Sequence, residues 1–499
     1  MKRILVANRG EIALRVMKAC REMGIPTVAV YSTSDKGSLH VQFADEAVCI
    51  GPPPPLESYL NIDKILETAK ERGADAIHPG YGFLAENSEF ARRCSEEKIT
   101  FIGPGHEAMR LLGNKVESRK TMVKAGIPVI PGMMSAGKEI ASLCKEATDM
   151  GLPVLVKAAG GGGGKGMRII REEKDLEDSL SACMREAKSA FGDDTIYLER
   201  YIERPRHIEF QILADCHGDI VHLFERECSI QRRYQKIVEE TPSVALSPEL
   251  REEMGSVAVK VARTAGYTNA GTVEFLLDES GEFYFLEVNA RVQVEHPITE
   301  AVVGVDLVKQ QIRIASGEKL SLKQEELRQR GHAIECRIYA EDPENNFLPC
   351  AGKILYVSQP EGPGIRCDSG IWSGCEVSVH YDPILSKLVV WDETREQACK
   401  RMAAALRRYA ILGIRTTTSF LADVMEHPAF LEGRTHTGFI PEHFADWKPC
   451  EGDGPELKVA LLAAAALGQK APGVKAAGPA VETFSPWKMG TKWRIGGQS

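Results

Sequence analysis

One stretch of this 499-residue chain concentrates chemistry: E-V-N-A-R-V-Q-V-E at 287–295. In an extended strand side chains alternate, so Glu287, Asn289, Arg291, Gln293 and Glu295 share one side. Val288, Ala290, Val292 and Val294 take the other. An ordinary half-buried strand shows Ser, Thr and Lys on its polar side. Two carboxylates, two amides and a guanidinium instead form a set of ligands and acid–base groups. The stretch just upstream supplies a further carboxylate. Thr272–Leu277 and Phe283–Asn289 read as strands of a hairpin, with turn residues between them. A four-residue loop at 279–282 pairs Asp278 with Phe283 and sets Glu274 opposite Glu287. Like charges opposed across strands repel, so the pairing calls for a cation between them. Oxygen donors without His or Cys point to Mg²⁺ or Mn²⁺ rather than zinc. Phe285, placed by alternation on the side of Glu287, argues against a fully solvated face.

These groups need a rigid scaffold, and the chain can build one. It is 43% hydrophobic and 26% charged, with net charge −8, which fits a soluble protein and argues against a non-specific nucleic-acid binder. No stretch approaches the ~20 apolar residues of a membrane span, and the N-terminus reads as no signal peptide. Thirteen dispersed cysteines fit reduced thiols in a cytoplasm. Residues 1–112 alternate apolar strands (Ile4–Ala7, Thr27–Tyr31, Ala76–His78, Thr100–Gly103) with helical segments. That pattern predicts a doubly wound parallel α/β domain. Its loop Gly80–Asn87 follows a strand's carboxyl end, where such sheets bind ligands. A second domain is expected over 113–320, with a lid at about 130–203. A third, mixed α+β domain is expected over 330–446. Residues 447–499 read as linker and tail, with a short helix at Lys458–Leu467 and a further strand starting within Phe484–Ile495.

Strand Pro153–Lys157 runs into five glycines, Gly160–Gly164, then Lys165. The run fails the P-loop register, because Ala159 stands at the first glycine and Gly166 at the Ser/Thr. Gly161, Gly163 and Gly166 satisfy G-x-G-x-x-G, but a strand rather than a helix follows. The run therefore reads as a flap between two strands whose N–H groups can cover phosphates. On Arg206–Leu213, His207, Glu209 and Gln211 share a face, which favours a functional histidine. Glu225–Lys236 (E-R-E-C-S-I-Q-R-R-Y-Q-K) reads for most of its members as a solvated charge run, and Arg337 alone as a salt-bridge arginine. Flap, lysines and a carboxylate metal site are the parts of phosphoryl transfer from ATP. Arg291 can hold a small anion beside Glu295 as base. Together they predict an ATP-dependent ligase acting through an activated acid.

Six motifs narrow this reading: N-R-G-E-I-A at 8–13, H-P-G-Y-G-F-L-A-E-N at 78–87, K-A-A-G-G-G-G-G-K-G-M at 157–167, P-R-H-I-E-F-Q at 205–211, Q-R-R-Y-Q-K at 231–236 and V-N-A-R-V-Q-V-E-H-P-I-T-E at 288–300. In this order they resemble biotin carboxylase of the ATP-grasp superfamily. Y-D-P-I-L-S-K-L-V-V-W at 381–391 resembles that family's C-terminal domain, so the likeness spans residues 1 to about 446. It implies an ATP-grasp fold in the middle of the chain. It also implies a reaction of ATP, bicarbonate and biotin giving ADP, phosphate and N1-carboxybiotin through carboxyphosphate. By resemblance Lys115, Lys157, Gly162, Gly163, Gly164, Glu199, Ile202, His207 and Gln231 bind ATP, joined by Glu274 and Glu287. Glu274, Glu287 and Asn289 hold two metal ions. Arg291, Gln293, the Val294 backbone and Lys236 hold bicarbonate, and Glu295 deprotonates it. Phosphate released from carboxyphosphate takes the N1 proton of biotin. Arg337 stabilises the ureido oxygen, and Tyr81 lies near biotin.

Two positions depart from the family pattern. Tyr234 stands where many relatives carry His and receives no role, and Ala290 stands where Thr, Ser or Pro is usual. The A-M-K-M of a biotinyl domain is absent from this sequence. The expected partners are therefore a separate biotin carboxyl carrier protein and a carboxyltransferase on another chain. A homodimer is a family expectation, and a contact with a partner protein is expected of the tail. Two other readings remain: another ATP-grasp carboxylate or carbamate ligase, and an inactive nucleotide-binding scaffold. The final carboxyl acceptor is not written in the sequence.

Overall fold

The computed structural model describes residues 1–134, 139–158, 168–191 and 194–449. Apolar runs Ile4–Val6 (β1), Thr27–Ser32 (β2), Glu46–Gly51 (β3), Ala76–His78 (β4) and Thr100–Phe101 (β5) form a sheet in the order β3-β2-β1-β4-β5. All its pairs are parallel, with Ile4 beside both Thr27 and Ala76. The order reverses between β1 and β4, the switch point where open sheets present ligand loops. Helix α1 (Gly10–Glu22) leaves β1 there. Asn8 ties the two loops by donating to Pro79 O and Tyr81 O, each at 2.7 Å. Gly80 is required at this crossing: its φ is +64°, and a Cβ would sit 2.8 Å from Asn8 Nδ2.

Helix α2 (Lys115–Lys124), capped by Asn114, leads to an antiparallel sheet of β6 (Gly132–Met134), β7 (Val154–Ala158), β8 (Arg168–Ile170) and β9 (Ile196–Arg200) in the order β6-β9-β7-β8. It has its own core around Leu143, Val154, Val156, Leu180 and Leu198. β7 pairs with β8, as the flap reading expects. The glycine run itself, with Gly162, Gly163 and Gly164, lies outside the described residues, as do the expected helix at 458–467 and strand at 484–495.

The largest sheet is built from β10 (Arg206–Ala214), β11 (Ile220–Arg232), β12 (Gln235–Thr241), β13 (Asn269–Leu277), β14 (Phe283–Asn289), β15 (His332–Tyr339), β16 (Ile365–Ser369) and β17 (Ile384–Asp392). Their order is β14-β13-β10-β11-β12-β15-β17-β16, so β12 and β15 hydrogen-bond across the border expected near 320–330. Alternation sorts its two faces. Ile208, Phe210, Val273, Phe275 and Val288 pack into one core, and Ile334, Cys336, Ile338, Leu388 and Val390 pack into another against helix α4 (Arg395–Arg408). The opposite face carries charge and is crossed by helix α3 (His296–Val303).

Three expectations are corrected here. The chemistry-bearing stretch is not one strand: β14 ends at Asn289, and Glu295 is the residue capping α3. Pro297 in the first turn of α3 favours that change to helix. The hairpin pairs Glu274 with Glu287, but Leu277 rather than Asp278 pairs with Phe283. A bulge between these pairs takes up the extra residue, Leu286, so Phe285 stands opposite Phe275 in the core and not beside Glu287. Most of the charge run 225–236 is not solvated, although Arg233 and Tyr234 at its turn are exposed. Glu225 to Gln231 are all buried within β11, with Arg226 at 0% exposure, because their strand lies in the middle of the sheet.

Candidate active site

Direct register partners set Glu287, Glu274, Glu209 and Arg226 in a row across β14, β13, β10 and β11. Lys236 of β12 closes over the row. Its Nζ donates to Glu209 Oε2 at 2.5 Å, Glu274 Oε1 at 2.7 Å and Glu295 Oε1 at 2.8 Å. Arg226 supports Glu209 from below, donating from Nε at 2.6 Å. Its other nitrogens reach Gln211, Thr272 and Thr299, so β10, β11, β13 and α3 share one buried guanidinium.

This geometry divides the carboxylates. Burial pushes the Glu295 carboxyl up, but Lys236, then Arg337 and Arg226, outweigh it and hold it well below the usual range. Glu274 is likewise lowered, with Lys236 and His207 overcoming burial. Burial and the Glu295 charge keep Glu209 raised despite Lys236 and Arg226. Burial moves Glu239 up to about 7 against the nearby Arg337. Lys236 is costly to bury, yet its three carboxylates hold it firmly charged.

Arg337 of β15 donates to Glu239 Oε1 at 2.6 Å and to Glu295 Oε2 at 2.9 Å. The base candidate thus lies between two cations. Arg291 is fixed on three sides, donating to Glu86 at 3.0 Å, Gln293 Oε1 at 2.8 Å and Asn289 Oδ1 at 2.9 Å. Gln293 and Asn289 in turn donate to Glu274. Beyond the strand end, then, the side chains of 289, 291 and 293 still converge. Val292 inserts into the core of the N-terminal sheet, and Ala290 packs away from the ligands as expected. Val294 offers its carbonyl to Lys387 Nζ at 2.9 Å. Lys387 lies 3.2 Å from Glu11, which accepts from the Tyr81 hydroxyl.

The expected nucleotide residues line the adjoining region. His207 Nε2 is 3.0 Å from Glu274 Oε2, and Gln231 Nε2 lies 2.7 Å from His207 Nδ1. Lys157 of β7 pairs with Glu199 of β9 at 2.6 Å, on the four-stranded sheet. Ile202 packs with Ile130, Leu276 and Tyr284, an apolar wall suited to a base. Lys115 Nζ, at the start of α2, is 3.4 Å from Glu287. The Glu274–Glu287 pairing with Asn289 nearby gives an all-oxygen donor set that fits a hard divalent cation. Here Lys236 and Lys115 supply the facing positive charge. Tyr234 is 73% exposed, at the turn between β11 and β12.

Sequence reasoning missed Glu86, Glu209, Glu239 and Lys387 as site members, along with Glu11. Glu209 shares period-two alternation with His207, and Glu86 lies in the loop 80–87. Those signals were present but gave no partner. Glu239 and Lys387 became legible only when β12 joined β15 and β17 in one sheet.

A strand pair bearing lysine, an apolar wall and opposed carboxylates beside a cation-flanked carboxylate make up the chemistry of an ATP-grasp ligase. Comparison with known proteins narrows the class. Residues 1–109 match the family model for the biotin carboxylase N-terminal domain. Residues 114–323 match the carbamoyl-phosphate synthase L chain ATP-binding domain, and 335–442 the biotin carboxylase C-terminal domain. The chain is 53% identical over 440 residues to a biotin carboxylase of Nostoc sp., covering 88% of this chain and 98% of that protein. It is 54% identical over 441 residues to a pyruvate carboxylase subunit of Methanothermobacter thermautotrophicus, covering 88% and 90%. The biotin carboxylase domain of Hydrogenobacter thermophilus 2-oxoglutarate carboxylase, solved as a dimer with MgADP, ADP and bicarbonate, superimposes with a TM-score of 0.84 at 48% identity. That match covers 90% of this chain and 99% of the other. The chain belongs to the biotin carboxylase family of ATP-dependent ligases.

Proposed function

We propose that this chain carboxylates biotin at N1, consuming ATP and bicarbonate, as the first half-reaction of a biotin-dependent carboxylase. The observation that carries the reading is Glu295, buried and held between Lys236 and Arg337 next to the Arg291–Gln293 pair. Arg291, Gln293, Lys236 and the Val294 backbone hold bicarbonate with its hydroxyl toward Glu295. Glu295 takes the proton as the bicarbonate oxygen attacks the γ-phosphorus, giving carboxyphosphate and ADP. Carboxyphosphate breaks to CO₂ and phosphate. Phosphate removes the N1 proton, Arg337 stabilises the negative charge on the ureido oxygen, and N1 attacks CO₂. Tyr81 flanks biotin. Lys115, Lys157, Glu199, Ile202, His207, Gln231 and the glycines 162–164 hold the nucleotide. Glu274, Glu287 and Asn289 would hold two Mg²⁺ or Mn²⁺ ions, which would supply charge neutralisation at the phosphates.

Carrier-bound biotin, a carboxyltransferase on another chain, a dimer of this chain and a cytoplasmic setting complete the proposal. The assembly is supported by the relative that serves as one subunit of a pyruvate carboxylase and by the dimer of the structural neighbour. Among the described residues no helix is long and apolar enough to cross a membrane. The test is bicarbonate-dependent ATP hydrolysis stimulated by free biotin. Glu295→Gln should lower it by about 10² to 10⁴-fold, the range for losing a general base. Turnover indifferent to biotin would overturn the reading.

A further inference from the structure

Glu335 of β15 is fully buried at 0% exposure, and neither of its carboxyl oxygens has a hydrogen-bond partner. It stands directly opposite Glu239 of β12, itself fully buried, whose Oε2 is also unpartnered. Two ionised carboxylates cannot both sit so in a dry sheet, since each charge is desolvated and they repel. The charged groups around Glu335 come from four elements: Arg337 on its own strand, Glu239 on β12, Lys387 on β17 and Glu295 at the start of α3. Both cations are committed elsewhere. Arg337 donates to Glu239 and Glu295, and Lys387 to the Val294 carbonyl beside Glu11. Glu239 cannot be the protonated member without weakening its 2.6 Å bond from Arg337 Nε.

We infer that Glu335 carries a proton in the working enzyme and is a positioning residue for Arg337: its neutral carboxyl lets Glu239 remain the anion that orients the guanidinium. Burial and the facing Glu239 both favour the neutral form, overcoming Lys387 and Arg337. The functional half of this inference rests on the role proposed for Arg337, while the proton itself does not.

The test uses Glu335→Gln, a neutral near-isostere, in the full chain. The infrared C=O stretch of a protonated, deuterium-sensitive carboxylic acid should be present in the wild type at neutral pH and lose one component in the variant. A spectrum unchanged by the substitution would overturn the inference. Stability gives an independent reading. The wild type must take up a proton at Glu335 on folding, which becomes harder as pH rises from the unfolded value toward the folded one. The folding equilibrium of the variant should therefore gain on the wild type by up to about tenfold per pH unit across that interval. A stability difference that does not change with pH across that interval refutes a neutral Glu335, and Glu335→Met, equally uncharged, gives the same comparison should Glu335→Gln not fold. Biotin-stimulated turnover should fall about tenfold or more in Glu239→Gln, which removes the anion that orients Arg337. If the infrared and stability results hold but Glu239→Gln leaves turnover unchanged, the positioning of Arg337 fails and the proton assignment stands.

Discussion

Lys236 is the residue on which the electrostatics of the site depend. One ammonium faces Glu209, Glu274 and Glu295, and its removal leaves three buried carboxylates with less compensation. For Glu274 and Glu295, held below their ordinary range, the ionised form is stabilised by folding. That stability is present above the unfolded carboxyl value of about 4.3 and is lost as pH falls through the depressed folded values. Lys236→Met should therefore move the acid limb of the residual bicarbonate-dependent ATPase to higher pH. A kcat/KM profile against pH checks this, and an unshifted acid limb would remove Lys236 as the source of the depression. At this scale much was legible from sequence. Asn289, Arg291 and Gln293 do converge with Glu274, but through hydrogen bonds beyond the strand end and not through alternation along one strand from Glu287 to Glu295. What spacing could not supply was the partner of each: Glu86 for Arg291 and Glu239 for Arg337 come from segments far away in the chain.

At the scale of elements, the charged row Glu287–Glu274–Glu209–Arg226 is a strand face, and Arg226 shows what that requires. Its guanidinium is completely buried and bonds to β10, β13 and α3 from β11. Without it Glu209 would be left to Lys236, which two further carboxylates share, and Gln211, Thr272 and Thr299 would lose a donor. Arg226→Met should destabilise the fold by about 3–5 kcal/mol, the usual result of breaking a buried pair from one side. Chemical denaturation measures it, and Arg226→Met with Glu209→Gln should recover part of the loss. The misreading of 225–236 as solvated has the same origin. Charge density along a strand reports exposure only if the strand has a free face. Here both faces are covered, one by apolar packing and the other by α3 and opposite charges. The hairpin reading holds at Glu274 and Glu287 because a bulge at Leu286 offsets the loop's extra residue; no feature of the sequence marks that bulge.

Across the whole molecule, distant segments meet at the loop between β14 and α3. Glu11 comes from the first helix, Val294 from the turn before α3, and Lys387 from β17. The strand patterns for each region were readable, but the joining of β12 to β15 was not, because long-range pairing leaves no local periodicity. Lys387 has 0% exposure and fixes the Val294 carbonyl, so it sets the direction of the backbone proposed to face the substrate anion. Removing it should misplace that peptide and leave Glu11 with the Tyr81 hydroxyl but without its cation. Two effects then follow, and they separate. Lys387→Met should raise KM for bicarbonate by about tenfold, the worth of one charge-assisted hydrogen bond, with a smaller change in kcat. It should also lower the thermal midpoint through the uncompensated Glu11. Adding Glu11→Gln relieves the buried charge but cannot restore the tether to Val294. The double variant should therefore regain stability while KM stays high. Recovery of both together would mean that Lys387 acts only through the fold, and that the Val294 peptide is positioned by α3 alone.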